Sequence, residues 1–294
     1  MSKTSITIIG AGPAGVATAI QLKRYGLDPM LLEKECAGGL LRNANWVENY
    51  PGFPNGVSGA KLVTLMKKQM QHIGVEVKQE EVLNVDLHGN NLVLVTQGAT
   101  RNTDFLVIAT GTKSKPIPDI VSTEVRDKVF TEVWPLLEAR GKHIVVIGAG
   151  DAAFDYALNL SKKRNSVTIL NRGETVKCLQ LLWDRAARES AIAYRARVAV
   201  SRVDVDETAG RLKVRCEADG SSEAVRADYV IFAIGREPQL DFLSEDVKRR
   251  ESELVAVGQL YFVGDVKNGL FRQVAIAAGD GLRAAMQIYA KLEK

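Results

Sequence analysis

Gly10-Ala11-Gly12-Pro13-Ala14-Gly15 sets three glycines at the spacing G-x-G-x-x-G, between an apolar run and a stretch of helical periodicity. A helix N-terminus offers unpaired N–H groups and partial positive charge, and a pyrophosphate reaches them only where the backbone allows close approach. Gly10 suits the tight turn, Gly12 the approach of the ligand, and Gly15 the packing of helix on strand. Glu33 lies 23 residues beyond Gly10, where an acid accepts from ribose hydroxyls. The pattern recurs at Gly148-Ala149-Gly150-Asp151-Ala152-Ala153, with Ala153 in the third glycine's place. Twenty-three residues beyond Gly148 stands Asn171 instead of an acid, followed by Arg172. A carboxylate there repels a 2′-phosphate and an arginine attracts it, so the second site favours NADPH over NADH.

The elements that position these turns follow from periodicity. Ser5–Ile9 reads as a strand, Val16, Ile20 and Leu22 as a helix running to Gly26, and Pro29–Leu32 as a second strand. Lys142–Ile147, a helix through Phe154, Ala157, Leu158 and Leu160, and Val167–Leu170 repeat the order. Asp104–Gly111 and Asp228–Gly235 match as well: each is an acid, an apolar strand and a terminal glycine. Two matches in the same order indicate two homologous units. Val75–Lys78, Val82–Asp86 and Leu92–Thr96 are expected to form a small β-meander in the first unit. Val198–Val205 and Leu212–Cys216 are expected to do so in the second. Ser58–His72 reads as a helix, with Leu62, Leu65, Met66 and Met70 on its core face. Lys113–Pro118 and Arg236-Glu237-Pro238 read as crossovers. The fold class is therefore α/β: two Rossmann-like three-layer dinucleotide-binding domains, the second inserted into the first. Residues 1–112 and 237–294 form the first dinucleotide-binding domain of this scheme, and 113–236 the second, inserted one.

The totals narrow the function classes. With 294 residues the chain has room for about two domains. Its net charge of +4 is a mild excess, and the short clusters Lys162-Lys163-Arg164 and Lys248-Arg249-Arg250 read as solvated faces, so no nucleic-acid partner is expected. No apolar run reaches membrane-spanning length, and Met1–Thr4 lacks the features of a signal peptide, so the expected location is cytoplasmic. Cys36, Cys178 and Cys216 are too far apart for a Cys-x-x-Cys pair or a zinc knuckle, and their odd number suits a reducing compartment. No metal-ligand spacing is present. His72, His88 and His143 read as structural or solvated.

Further segments carry a resemblance to the low-molecular-weight thioredoxin reductase family over nearly the whole chain. They are Gly38-Gly39-Leu40-Leu41, Glu48-Asn49-Tyr50-Pro51-Gly52-Phe53-Pro54, Ala109-Thr110-Gly111, Gly264-Asp265 and Arg272-Gln273-Val274. The resemblance implies FAD held by Gly10, Gly12, Pro13, Ala14, Gly15, Glu33, Lys34, Gly39, Leu40, Asn49, Val82, Thr110, Gly111, Gly264, Asp265, Arg272, Gln273 and Val274. It implies NAD(P) held by Gly148, Gly150, Asp151, Ala152, Asn171, Arg172, Lys177 and Arg236. It also implies a homodimer, and a rotation of the nucleotide domain about the two crossovers.

Two departures change the expected chemistry. The family's Cys-x-x-Cys dithiol falls here on Thr131-Glu132-Val133-Trp134, so no disulfide can relay electrons from the flavin. Trp134 is either an interface residue or a lid near the flavin ring. The family's HRRxxxR run reads Asn171-Arg172-Gly173-Glu174-Thr175-Val176-Lys177, keeping one arginine and a lysine without the planar fork. The second pocket is thus open to NADPH, NADH or a second flavin. The leading expectation is an FAD-dependent NAD(P)H oxidoreductase whose acceptor is a ferredoxin or flavodoxin, a quinone or a small molecule. Gly150–Asp155 looks like the GGGDSALD run of thioredoxin reductase-type ferredoxin–NADP reductases, but the chain ends at Lys294 without their C-terminal extension. Direct reduction of a small disulfide at the flavin and a non-catalytic flavin-binding scaffold are the alternatives.

Overall fold

The apolar runs become strands because both of their faces are covered. In a computed structural model describing residues 4–206 and 210–293, Ile6–Ile9 and Phe105–Ile108 are buried at every position. Such unbroken burial is the mark of a parallel sheet with helices on its faces. The described residues form seven α-helices: α1 (Pro13–Arg24), α2 (Gly59–Ile73), α3 (Asp151–Ser161), α4 (Gln180–Arg188), α5 (Glu245–Arg249), α6 (Glu251–Ala256) and α7 (Val274–Leu292).

The chain divides into two compact units: Met1–Arg42, Val47–Lys113 and Glu237–Lys294, and Asn43–Trp46 with Ser114–Arg236. In the first, a five-stranded parallel sheet has the order Leu260–Phe262, Phe105–Ile108, Ile6–Ile9, Met30–Glu33, Val77–Gln79. In the second, the order is Val129–Phe130, Tyr229–Phe232, His143–Ile147, Ser166–Leu170, Ile192–Arg195, again all parallel. The repeat is therefore structural. Only the outer strand beside the closing strand comes from a different place: after it in sequence in the first unit, before the first strand in the second. The hydrogen bonds repeat too. Asp104 accepts from the backbone N–H of Ser5 at 2.8 Å, and Asp228 accepts from that of His143 at 2.8 Å.

Each unit also carries a three-stranded antiparallel sheet: Val82–His88, Asn91–Thr96 and Thr100–Thr103 in the first, Val198–Asp206, Arg211–Ala218 and Ser221–Ala227 in the second. One assignment needs correcting. Val75–Lys78 was expected in the meander, but Val77–Gln79 pairs parallel to Met30–Glu33, with Val77 opposite Leu31. Its outer face is open, so its short apolar pattern does not distinguish a parallel edge from a meander strand. The chain passages Thr112–Ser114 and Arg236–Pro238 pair with each other as a two-stranded sheet. No helix among the described residues is long and apolar enough to cross a membrane.

Candidate functional site

In the first unit the glycine turn is shaped by contacts that exclude side chains. Gly10 has φ +101°, and a Cβ there would lie 2.5 Å from the carbonyl oxygen of Ala109. A Cβ on Gly15 would lie 1.9 Å from the carbonyl oxygen of Gly10, so helix and turn touch backbone to backbone. Gly12 is different. It has ordinary extended backbone, and a Cβ there would meet no protein atom within 4 Å. The first sets of contacts build the turn; the open space beside Gly12 is room for a ligand.

Glu33, Gly39, Thr110 and Gly264 lie close around this turn. The Glu33 carboxylate accepts from the N–H of Ala11 at 2.8 Å and from that of Glu35 at 3.0 Å. Gly38 N–H donates to Ala11 O at 2.8 Å, and a Cβ on Gly39 would lie 3.2 Å from Gly12 Cα. Leu40 follows in the 3₁₀ turn Gly39–Asn43. Gly264 (φ +75°) brings its backbone against Ala14, whose Cβ is 2.9 Å from where a Gly264 Cβ would be, and Asp265 follows in the 3₁₀ turn Gly264–Val266. Asn49 Nδ2 donates to Gln273 Oε1 at 2.8 Å. Gln273 is the N-cap of α7, Val274 its first residue, and Arg272 Nε is buried with no hydrogen-bond partner. Thr110 Oγ1 donates to Gln239 O at 2.7 Å, and Gly111 follows with φ +64°. Val82 is buried at the start of its strand, while Lys34 is exposed. Pro13 occupies the first position of α1, where its missing N–H costs nothing.

The helix starts differ in how they are capped. Ser58 and Ser244 cap α2 and α5 through their side chains. α1, α3 and α7 begin at Gly12, Gly150 and Gln273 with no side-chain cap, as α4 and α6 do at Leu179 and Arg250. At Gly12 and Gly150 the open space at the helix start adds room for an acceptor of the first N–H groups, as a phosphate site requires. The open cradle at Gly12 and the orphaned guanidinium nitrogen of Arg272 fit a large anionic ligand.

The second unit repeats the turn and changes its surroundings. A Cβ on Gly148 (φ +138°) would lie 2.3 Å from Ala233 O, as Gly10 stands to Ala109, and Gly150 is as open as Gly12. Asp151 accepts from Leu179 N–H at 2.8 Å and so fixes the start of α4; Ala152 is exposed beside it. Asn171 is buried, and its side chain shapes its own loop, accepting from Gly173 N–H and donating to Thr175 O and Tyr194 Oη. Arg172 is exposed, and Lys177 N–H bonds Ala149 O at 2.9 Å, returning the loop to the turn. The guanidinium of Arg236 is paired with Glu132 and bonded to Ser114 Oγ.

Glu132 is the residue that periodicity did not expose. Its Oε1 accepts from Ser114 Oγ and Arg236, its Oε2 from Asn43 Nδ2 and Tyr156 Oη. Trp134 opens the 3₁₀ turn Trp134–Leu136, its N–H on Asn43 Oδ1 at 3.2 Å and its side chain 41% exposed. Nearby, Asn45 N–H donates to Asp155 at 2.8 Å and Lys162 Nζ donates to Asn45 Oδ1 at 2.6 Å. Lys162 is therefore more than a solvated charge. Cys36, Cys178 and Cys216 are free thiols. Burial pushes the Cys216 thiol up to about 11 and raises that of Cys178, so neither is poised as a thiolate. No cluster of metal-ligating side chains occurs among the described residues.

Comparison with known proteins gives a consistent answer. The profile described as "Pyridine nucleotide-disulphide oxidoreductase" matches residues 4–281. The chain is 30% identical to a thioredoxin reductase of Chlamydia trachomatis serovar D over 313 aligned positions, covering all of both chains. Among solved structures it resembles the thioredoxin reductase of Lactococcus lactis (26% identity, TM-score 0.84, 98% of each chain covered). It also resembles that of T. acidophilum (25% identity, TM-score 0.82, 99% of each).

Proposed function

Because the chain belongs to the pyridine nucleotide-disulphide oxidoreductase family, we propose that it is an FAD-dependent oxidoreductase that takes hydride from NADPH and passes electrons from the flavin directly to its acceptor. The observation that carries this reading is the open, uncapped turn at Gly12, with Glu33 beside it and its copy at Gly150. The first turn would hold the FAD pyrophosphate, with Gly264–Asp265 and Arg272–Val274 taking the rest of the cofactor. Bound flavin supplies two-electron acceptance and one-electron release. The protein's part is binding and orientation: α1 and α7 present N–H groups, Glu33 orders the turn through Ala11, and Asn49 steadies Gln273.

In the second unit, Gly150 would take the nicotinamide nucleotide and Arg172 with Lys177 its 2′-phosphate. The lack of a carboxylate at Asn171 supports NADPH over NADH. With Thr131–Trp134 in the dithiol's place and Glu132 committed to four donors, the acceptor is read as one that meets the flavin itself: an electron-carrier protein, a quinone or a small disulfide. The exposed apolar residues Ile276, Leu282 and Met286 of α7 support a homodimer, and three free thiols support a reducing, cytoplasmic setting.

Anaerobic titration with NADPH and then NADH, followed by flavin absorbance, tests the reading. Bleaching at one flavin per chain, with NADPH effective at lower concentration, is the expected result. No bleaching by either donor removes the NAD(P)H assignment, and two flavins per chain reassign the second site.

A further inference from the structure

α7 is an apolar helix with one acid on its inward face. Ala277, Gly281, Ala284, Ala285 and Ile288 are buried along it, and Asp280 sits among them at 9% exposure. A carboxylate in such a place costs free energy unless its oxygens are paired. Here its partners come from one short stretch of chain. Asp280 Oδ2 accepts from the backbone N–H of Gly264 at 3.2 Å and from Asn268 Nδ2 at 2.7 Å. Oδ1 lies 3.3 Å from Lys267 Nζ. Burial pushes the carboxyl up, but Asn268, the Gly264 N–H and Lys267 outweigh it and hold it below the usual carboxylate range.

The stretch it grips has no slack elsewhere. Gly264 is left-handed and pressed on Ala14 of α1. Gly281, next to the acid, is equally close to α1: a Cβ there would lie 2.2 Å from Ala14 O. Thr18 Oγ1 bridges Ala14 O and Gly281 O at 2.9 and 3.2 Å. The first turn of α1, the turn at 264–268 and the middle of α7 thus meet at one junction, and Asp280 supplies its charge. An apolar residue of similar size would pack there without the cost of a buried ion, so packing alone does not account for an acid at this point.

We infer that Asp280 is a positioning residue for the cofactor site: by holding Gly264 at one end and Asn268 at the other, it fixes the turn that carries Asp265 and leads into Arg272–Val274. This rests on the FAD reading above. Asp280 acts through the turn.

The test uses the full chain stripped of flavin. FAD rebinding is measured by fluorescence quenching, together with the visible spectrum and reduction potential of the rebound flavin. Asp280→Asn keeps the size but loses the charge and turns an amide NH₂ toward donors. Loss of a charged, buried hydrogen-bond acceptor predicts FAD affinity lower by about tenfold or more. A shifted flavin spectrum or potential is expected with it, and NADPH binding to the second unit unchanged. Asn268→Ala, which removes one of the two bonds, is expected to fall between. Asp280→Leu tests packing without charge; if it fails to fold, Asp280→Asn and Asn268→Ala decide. Variants that lose melting temperature yet bind FAD with parental affinity and spectrum overturn the inference. A parental apoprotein that binds no FAD overturns the cofactor reading, and this inference with it.

Discussion

Within the second unit, the hydroxyl of Tyr156 donates to Glu132 Oε2 at 3.0 Å. Burial raises the Tyr156 pKa, with Glu132 adding to it, so the phenol stays a donor throughout the working range. Ser114, Asn43 and Arg236 complete the acid's partners, and Glu132 and Arg236 are each 18% exposed. Removing one member of a mostly buried ion pair leaves the other uncompensated. Glu132→Ala is therefore expected to lower stability by about 3 kcal/mol. Tyr156→Phe, which removes one neutral donor, is expected to cost about 1 kcal/mol. Urea denaturation followed by tryptophan fluorescence measures both. Equal effects would show that the acid is not the hub.

Glu132 was not legible in advance for a physical reason. Its partners lie 18 to 104 residues away, and nothing in local spacing brings Asn43, Ser114, Tyr156 and Arg236 together. The glycine turns were legible because Gly10, Gly15 and Gly148 answer steric demands a few residues off or at the end of the repeated closing strand, while Gly12 and Gly150 keep the fixed spacing between them and the helix start. The third meander strands, Thr100–Thr103 and Ser221–Ala227, escaped periodicity because they are edge strands with few apolar residues. Asp280 did leave a signal: an acid in phase with the buried positions of an otherwise apolar helix.

Gly12 and Gly15 separate binding from folding. Gly12→Ala meets no protein atom and suits the backbone, so the apoprotein should fold and gain slightly in stability, by about 0.5 kcal/mol. The same methyl would intrude on the bound pyrophosphate. A clash costing about 1–3 kcal/mol lowers FAD affinity roughly ten- to hundredfold. Gly15→Ala forces a Cβ to within 1.9 Å of Gly10 O and should destabilise the apoprotein by about 3 kcal/mol. Calorimetry of the two apoproteins, with FAD rebinding, checks the contrast; a destabilised Gly12→Ala would remove the ligand explanation for that glycine.

Asp155 should give stability a pH dependence of unusual sign. Burial raises its carboxyl from 3.8 to about 6, against the Asn45 N–H and the nearby Lys162 and Arg185, with Asp151 adding to the rise. Between pH 4 and pH 6, roughly, the folded state then holds a proton that the unfolded state has lost. Stability contributed by this group is full below the unfolded pKa and falls as pH rises through the folded one, by about 3 kcal/mol in all. Asp155→Asn removes the titration and keeps the acceptor for Asn45. Its urea midpoint should therefore be flatter across that window than the parent's and higher at pH 7. Parallel curves for the two proteins would contradict the assignment.

Arg172 should set nucleotide choice without affecting flavin. An arginine–phosphate contact is worth about 1.5–3 kcal/mol. Arg172→Ala should then raise the NADPH concentration needed for half-reduction by roughly tenfold or more and leave that for NADH unchanged. Stopped-flow reduction with each donor reads the difference, and a variant equally impaired with both would mean that Arg172 serves the loop rather than the phosphate.

The exposed side of α7 gives the last prediction. Ile276, Leu282 and Met286 are 40%, 41% and 55% exposed on a helix whose opposite face is packed on α1. Leu282 and Met286, four residues apart, form a short apolar stripe on the exposed side of α7, with Ile276 to one side of it; water covers it poorly, and a second copy of the chain would bury it symmetrically. Met286→Glu places a charge in that stripe, in a side chain with no role in its own unit's core. Sedimentation velocity should show the parent as a dimer and Met286→Glu as a monomer, with the flavin spectrum of each the same. A parent that sediments as a monomer at micromolar concentration refutes the dimer, and a dimeric Met286→Glu moves the interface off this face.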